Sequence, residues 1–312
     1  MKKLLFITLL FAGLMAKGQQ TPQYTQYMLN YFAINPAMAG MKKCIDVKLG
    51  YRAQWVGFDG NPRTAFATIS SRIKFKKSKS PYSHHGFGAK VEDDHTGLTG
   101  TTKLYLAYAY HFAAFRDFKA SFGIYGGIQQ FKFKVGESNA LQGPDPAINS
   151  VNSKIIWPDF TPGFFLYNEK MYFGLDMRQM LLNKIKGYGT DGKNRFKHHF
   201  EFLAGADIKV DNKISYRPSV MLKFTPLSVP SFDLNLLMNY DDRFQFGLSY
   251  RNTDALAAMF KVNFLEHFTL GYSFDLTTSK MRLGSSNTHE IVLGLYTCNV
   301  RGGDNFSCPV FD

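Results

Sequence analysis

The ten residues Phe268-Thr269-Leu270-Gly271-Tyr272-Ser273-Phe274-Asp275-Leu276-Thr277 decide the fold. Every second side chain is large and apolar; those between are small, polar or acidic. Successive side chains of an extended chain point to opposite faces, so this is a strand with one greasy and one wet face. The pattern recurs. Phe232, Leu234, Leu236, Met238 and Tyr240 oppose Asp233, Asn235 and Asn239, and Phe244, Phe246, Leu248 and Tyr250 oppose Gln245, Gly247, Ser249 and Arg251. Fourteen such runs follow one another, near 44–57, 62–75, 85–94, 99–112, 118–134, 158–168, 171–183, 195–209, 213–225, 231–240, 243–252, 255–264, 267–277 and 287–299. Several reach the ~9–11 residues that cross a bilayer at a tilt, beyond the ~5–6 usual in globular sheets.

The connections carry independent information. If the chain starts on the periplasmic side, Asn168-Glu169-Lys170, Asp211-Asn212, Asp241-Asp242 and Leu265-Glu266 fall on that side as tight turns. The long connections 135–157, 184–194 and 278–286 fall on the other. Short periplasmic turns and long outer loops mark outer-membrane barrels. The basic stretch 76–85 is an exception, being long and periplasmic. The expected fold is all-β: a transmembrane antiparallel β-barrel of about 14 strands over residues 44–299, with a non-strand segment at 19–43 and a periplasmic tail at 300–312. The competing architecture, a soluble all-β protein, does not explain an apolar face that is almost purely large and aromatic.

Residues 1–18 read as a signal peptide: Lys2 and Lys3, an apolar run from Leu4 to Leu14, then Ala16-Lys17-Gly18. Its removal takes three lysines and no acid from a net charge of +13, leaving +10. A basic exported protein meets anionic lipid or acidic polymers rather than nucleic acid. The 30 Phe and 17 Tyr in a chain of slightly polar mean hydropathy suit half-apolar strands.

Little points to catalysis, and no cofactor is expected. The sequence G-x-S-x-G is absent, and His199 with Glu201 on one strand face has no serine beside it. His84-His85 and His198-His199 are adjacent pairs that project to opposite faces and so cannot chelate together, and His95 sits in an ordinary turn. Cys44, Cys298 and Cys308 allow three single pairings with one thiol left over. Cys44 and Cys298 bound the first and last strands, which neighbour each other in a closed barrel; Cys298 and Cys308 are also within reach, and three unpaired thiols are the remaining alternative. Alternation places Lys48, Arg52, Lys103, Arg178, Lys209, Arg217, Lys223 and Arg251 on the lumen face with Asp46, Asp176, Glu201, Asp207, Asp233 and Asp275. An ion-pair mesh is expected there. Arginine at Asn235 or Ser273 on that face should be tolerated better than at Leu236 or Leu270.

The segment before the first strand resembles the opening of the PorP/SprF family of the type IX secretion and gliding motility systems of Bacteroidota. The residues are Gln26-Tyr27-Met28-Leu29-Asn30, Ile34-Asn35-Pro36-Ala37-Met38-Ala39-Gly40 and Arg52-Ala53-Gln54-Trp55, with Gly57 and Gly60-Asn61-Pro62 behind them. Gly247–Arg251, Gly271–Asp275 and Ser286–Ile291 are similar to later family signatures; the end, "SCPVFD", departs from it. The resemblance implies a non-enzymatic barrel in the outer membrane. It also implies a secreted surface partner, adhesin-like, that the barrel helps to export or hold, and periplasmic or peptidoglycan-linked components of the same machinery. A porin or small-molecule transporter is the alternative. Gln26, Tyr27, Asn30, Asn35, Pro36, Ala37 and Gly40 are the candidate plug or partner-docking residues, and Arg52, Gln54 and Trp55 the first-strand motif. The turn-formers Asn35, Pro36 and Gly40 and the aromatics Tyr24, Tyr27, Tyr31 and Phe32 fit a segment folded into the lumen or lying beneath its periplasmic mouth; a disordered periplasmic tail is the alternative.

Overall fold

The structure is a computed structural model that describes residues 22–73, 83–133, 153–183, 195–226, 228–252, 254–285 and 287–297. The strands are β1 Asp46–Ala53, β2 Arg63–Ile73, β3 His84–Thr96, β4 Thr99–Phe115, β5 Phe118–Phe133, β6 Ser153–Tyr167, β7 Met171–Arg178, β8 His199–Ala206, β9 Ile208–Lys209, β10 Ile214–Phe224, β11 Ser231–Tyr240, β12 Phe244–Arg251, β13 Ala255–Phe264, β14 Phe268–Thr277 and β15 Thr288–Tyr296. β8 and β9 pair with β10 in one unbroken register, Gly205 opposite Ser219 and Ile208 opposite Tyr216, so they are one strand interrupted at Asp207. Every strand pairs with its sequence neighbour, and β1 closes on β15 from Asp46 opposite Tyr296 to Ala53 opposite His289. The result is a closed, fourteen-stranded antiparallel barrel among the described residues.

The two faces follow the alternation. Leu270, Tyr272 and Leu276 are exposed, whereas Thr269, Ser273, Asp275 and Thr277 are buried. Exposed large apolar residues circle the outside, which is how a barrel meets lipid. Among the described residues no helix is long and apolar enough to cross a membrane. The turn between β11 and β12 spans three residues, Asp241, Asp242 and Arg243; the first two have positive φ (54° and 46°), and Arg243 N donates to Tyr240 O at 3.1 Å.

Some boundaries differ from the sequence reading. β6 begins at Ser153 rather than 158, although Pro158 and Pro162 would ordinarily end a strand. The β6–β7 ladder starts only at Gly163 opposite Asp176, and Pro158 O on that side accepts from Asn183. Both prolines therefore direct their missing N–H to an edge where no ladder forms. Lys209, expected in the lumen, is exposed at the periplasmic end, beyond the reach of the lumen. The leader 1–18 and the tail 300–312 lie outside the described residues.

The face assignment predicts a large asymmetry. Leu236→Arg and Leu270→Arg place charge in lipid at about 2–4 kcal/mol and should lower the fraction of heat-modifiable, assembled barrel on gels. The expected tolerance of arginine at Asn235 and Ser273 is corrected: Ser273 is 0 % and Asn235 6 % exposed, because the lumen behind them is filled.

Candidate functional site: a segment inside the barrel

What fills the lumen is the N-terminal segment. It forms a 3-10 turn at Tyr27–Leu29, one helical turn at Tyr31–Ile34 and a second 3-10 turn at Pro36–Met38. Asn30 caps the helical turn by accepting from Ala33 N, and Asn35 caps the second 3-10 turn by accepting from Ala37 N at 2.9 Å. Such short turns have no stability of their own. The barrel wall supplies it.

The outer half of the segment is held by ion pairs. Arg52 reaches Asp275 at 2.9 Å and Glu290 at 3.1 Å and donates to Thr25 Oγ1 at 2.6 Å. Thr25 in turn donates to Asp275 (2.6 Å), and the Glu290 carboxylate accepts from Thr25 N (2.8 Å) and Gln26 N (3.0 Å). Glu92, fully buried, takes Lys90 and Lys103 at 2.7 Å each and accepts from the Tyr24 hydroxyl. Lys90 also donates to Ala33 O at 2.6 Å, and Arg178 pairs with Glu201 at 2.8 Å while facing Ile34 O at 3.5 Å. The wall charges thus neutralise one another and spend their remaining hydrogen bonds on the segment.

The periplasmic half is held by close backbone approach. An added Cβ at Gly86 would lie 1.9 Å from Ala39 O, at Gly123 2.5 Å from Ala37 Cα, and at Gly163 2.2 Å from Asn35 Oδ1. Asn35 donates to Phe164 O and Leu175 O at 3.2 and 3.0 Å. His84 and His111 stack with centroids 4.2 Å apart; His111 Nε2 is 2.8 Å from Ala39 O and His84 Nε2 3.1 Å from Gly40 O. Gly86→Val should therefore displace the segment, since backbone cannot yield as a side chain does. Overpacking of about 1–3 kcal/mol or more should lower the midpoint of heat-induced unfolding in detergent. Gly126→Ala, whose Cβ meets Phe160 at 3.4 Å, should not.

All the candidate plug residues come together in the lumen. Gln26, Tyr27, Asn30, Asn35 and Ala37 are buried, Pro36 and Gly40 likewise. Tyr27 OH accepts from Asn235, and Asn30 donates to Thr68 Oγ1 at 3.0 Å. Arg52 is the centre of the outer cluster. Gln54 is buried just past β1, and Trp55 follows with φ of 52° and its N–H bonded to Thr288 Oγ1 at 3.0 Å. Cys44 is disulfide-bonded; Cys298 and Cys308 lie outside the described residues. The sequence reading missed Thr25, Glu92, Glu290 and the His84–His111 stack. Alternation could have placed the two glutamates on the lumen face; nothing in the sequence pairs His84 with His111. Two small voids border the segment, of about 20 and 10 Å³, each lined partly by it.

The family model described as "Type IX secretion system membrane protein PorP/SprF" matches residues 16–295. No curated protein matches the chain. Among solved structures, the CymD monoaromatic hydrocarbon channel is similar at 11 % identity and TM-score 0.50, over 91 % of this chain and 95 % of that one. A Pseudomonas aeruginosa FadL homologue is similar at 11 % identity and TM-score 0.49, over 92 % and 96 %. At such identities the likeness concerns the fold alone.

Proposed function

The chain belongs to the PorP/SprF family of type IX secretion system membrane proteins, and on that premise we propose that it is a non-enzymatic accessory barrel that assists export or surface attachment of a partner secreted protein. It is an outer-membrane β-barrel. Periplasmic or peptidoglycan-linked components of the same machinery are its second class of partner. The observation that carries this reading is the occupied lumen: residues 24–40 are buried in it. A porin or small-molecule transporter needs an open path, and a segment held by Arg52, Glu92 and the glycine contacts speaks against one. The same burial favours a plug over a periplasmic docking surface, because docking residues must be reachable. Binding of partners then falls to the loops and rims.

The test is isolation of the native complex in mild detergent, with identification of what copurifies. A secreted surface protein should be recovered with the barrel, and deleting the barrel gene should abolish that protein's surface display. Recovery of the bare barrel together with undisturbed display of secreted proteins would overturn the reading.

A further inference from the structure

The outside of the barrel carries one strip that does not match the rest. Along the hydrogen-bonded register, Arg63 on β2 lies opposite His95 on β3, His95 opposite Gly100 on β4, Gly100 opposite Lys132 on β5, and Lys132 opposite Lys154 on β6. These positions share the outward face. On the same strands, Thr64, Glu92, Lys103, Gln129 and Asp159, of opposite parity, are buried inside. The strip is at the end of the long connections, the outer end. Elsewhere around the wall the outward positions near that end are mostly large and apolar, as at Phe224, Phe232, Tyr250, Leu256 and Leu276, with His289 on β15 and Ala53 on β1 as exceptions.

The chemistry grades steeply toward the membrane. Two residues along each strand the register row reads Ala65, Asp93, Thr102, Gln130, Ile156; two further on it reads Ala67, Val91, Leu104, Ile128, Pro158. Basic, polar and apolar rows thus succeed one another within about 14 Å of strand. Asp93, the acid nearest the strip on this face, is engaged by His95 at 2.8 Å and Thr102 at 2.6 Å. Lys132 and Lys154 have no carboxylate partner among the described residues. At Gly100 the strip has no side chain, the His95 ring lies against it, and a depression of about 330 Å³ lined by Arg63, His95 and Lys132 opens toward the Gly60 and Gly97 turns. Arg63 and Lys132 are three strand spacings apart, about 14 Å. Neighbouring cations with no carboxylate partner among the described residues, set directly above an apolar surface, fit an amphiphile with an anionic head.

We infer that this strip on β2–β6 is a binding site for a phosphate-bearing glycolipid of the outer leaflet, its anionic sugar-phosphate head spanning Arg63, Lys132 and Lys154 and its acyl chains laid on the apolar row below. Cationic side chains at that depth meet phosphate at little desolvation cost while their stems cover apolar surface.

The test is native mass spectrometry of the full-length barrel in detergent, titrated with a phosphorylated diglucosamine lipid and, separately, with phosphatidylcholine. The phosphorylated lipid should bind at least tenfold more tightly than phosphatidylcholine. The Lys132→Glu/Lys154→Glu variant should lose at least tenfold in that binding while keeping heat-modifiable mobility. The same charge change at the periplasmic end, Lys209→Glu/Lys213→Glu, should leave it unchanged. If the reversal variant does not assemble, Arg63→Gln/Lys132→Gln is read in the same way. Equal binding by all variants, or equal loss in both charge-reversal pairs, overturns the site. Displacement of the lipid by millimolar inorganic phosphate overturns the assignment to a lipid and leaves a free-anion site.

Discussion

Arg52→Met should be the most damaging single substitution in the lumen. Arg52 is 1 % exposed and is the shared cation of Asp275 and Glu290, which are themselves 1 % exposed. Its removal strands two carboxylates in a confined space. Arg251, 3.5 Å from Asp275, is already committed to Asp233 and Asp254 at 3.3 Å each, so it offsets little. Breaking one partner out of a buried ionic group costs about 3–5 kcal/mol. Thr25 also loses the shorter of its two donors, since Arg251 reaches its hydroxyl only at 3.3 Å. The midpoint of urea unfolding in detergent should fall accordingly. Arg52→Met combined with Asp275→Leu and Glu290→Met should recover much of the loss, since the penalty lies in the orphaned charges rather than in the absent attraction. A single variant within about 0.5 kcal/mol of the parent, the usual range for surface substitutions, would show that Arg52 holds nothing together.

Deletion of residues 22–41 should separate assembly from function. None of the strand ladders includes this segment, and β1 still closes on β15 through eight residue pairs. Much of the wall's charge is paired wall to wall, as in Lys103–Glu92, Arg178–Glu201 and Lys223–Asp233. Water entering the emptied lumen solvates what remains. The shortened protein should therefore insert and keep its heat-modifiable mobility, with lower stability. Surface display of the partner should nevertheless drop at least tenfold, because the wall that carries the loops and rims loses its inner contacts with the segment. Undiminished display would make the segment dispensable for export.

Much of this was legible in the residues, for a definite reason. Period-two alternation, as in Phe268–Thr277, needs nothing beyond the geometry of an extended chain, and the turn asymmetry needs only counting. Arg52 and Asp275 were both placed on the lumen wall by parity alone. Parity says which way a side chain points and not what it meets there, so Asn235 and Ser273 looked tolerant of arginine until Tyr27 and the segment were seen behind the wall. The glycines were similarly mute. Gly86 and Gly123 read as ordinary small residues on a wet face, yet they are where the backbone of Ala39 and Ala37 lies against the wall. The start of β6 was placed at 158 rather than at Ser153, and only the missing ladder toward β7 shows why Pro158 does not break the strand here. The His84–His111 stack joins residues from two strands by register, which a single sequence does not reveal.

The central claim is that residues 22–41 close the lumen. Single-channel recording in planar bilayers tests it most directly, comparing the full-length protein with the 22–41 deletion at equal insertion. The full-length barrel should pass almost no current, and the deletion should open stable steps of the size expected for an emptied barrel of this strand number. Steady conductance from the full-length protein that the deletion does not increase would contradict the account.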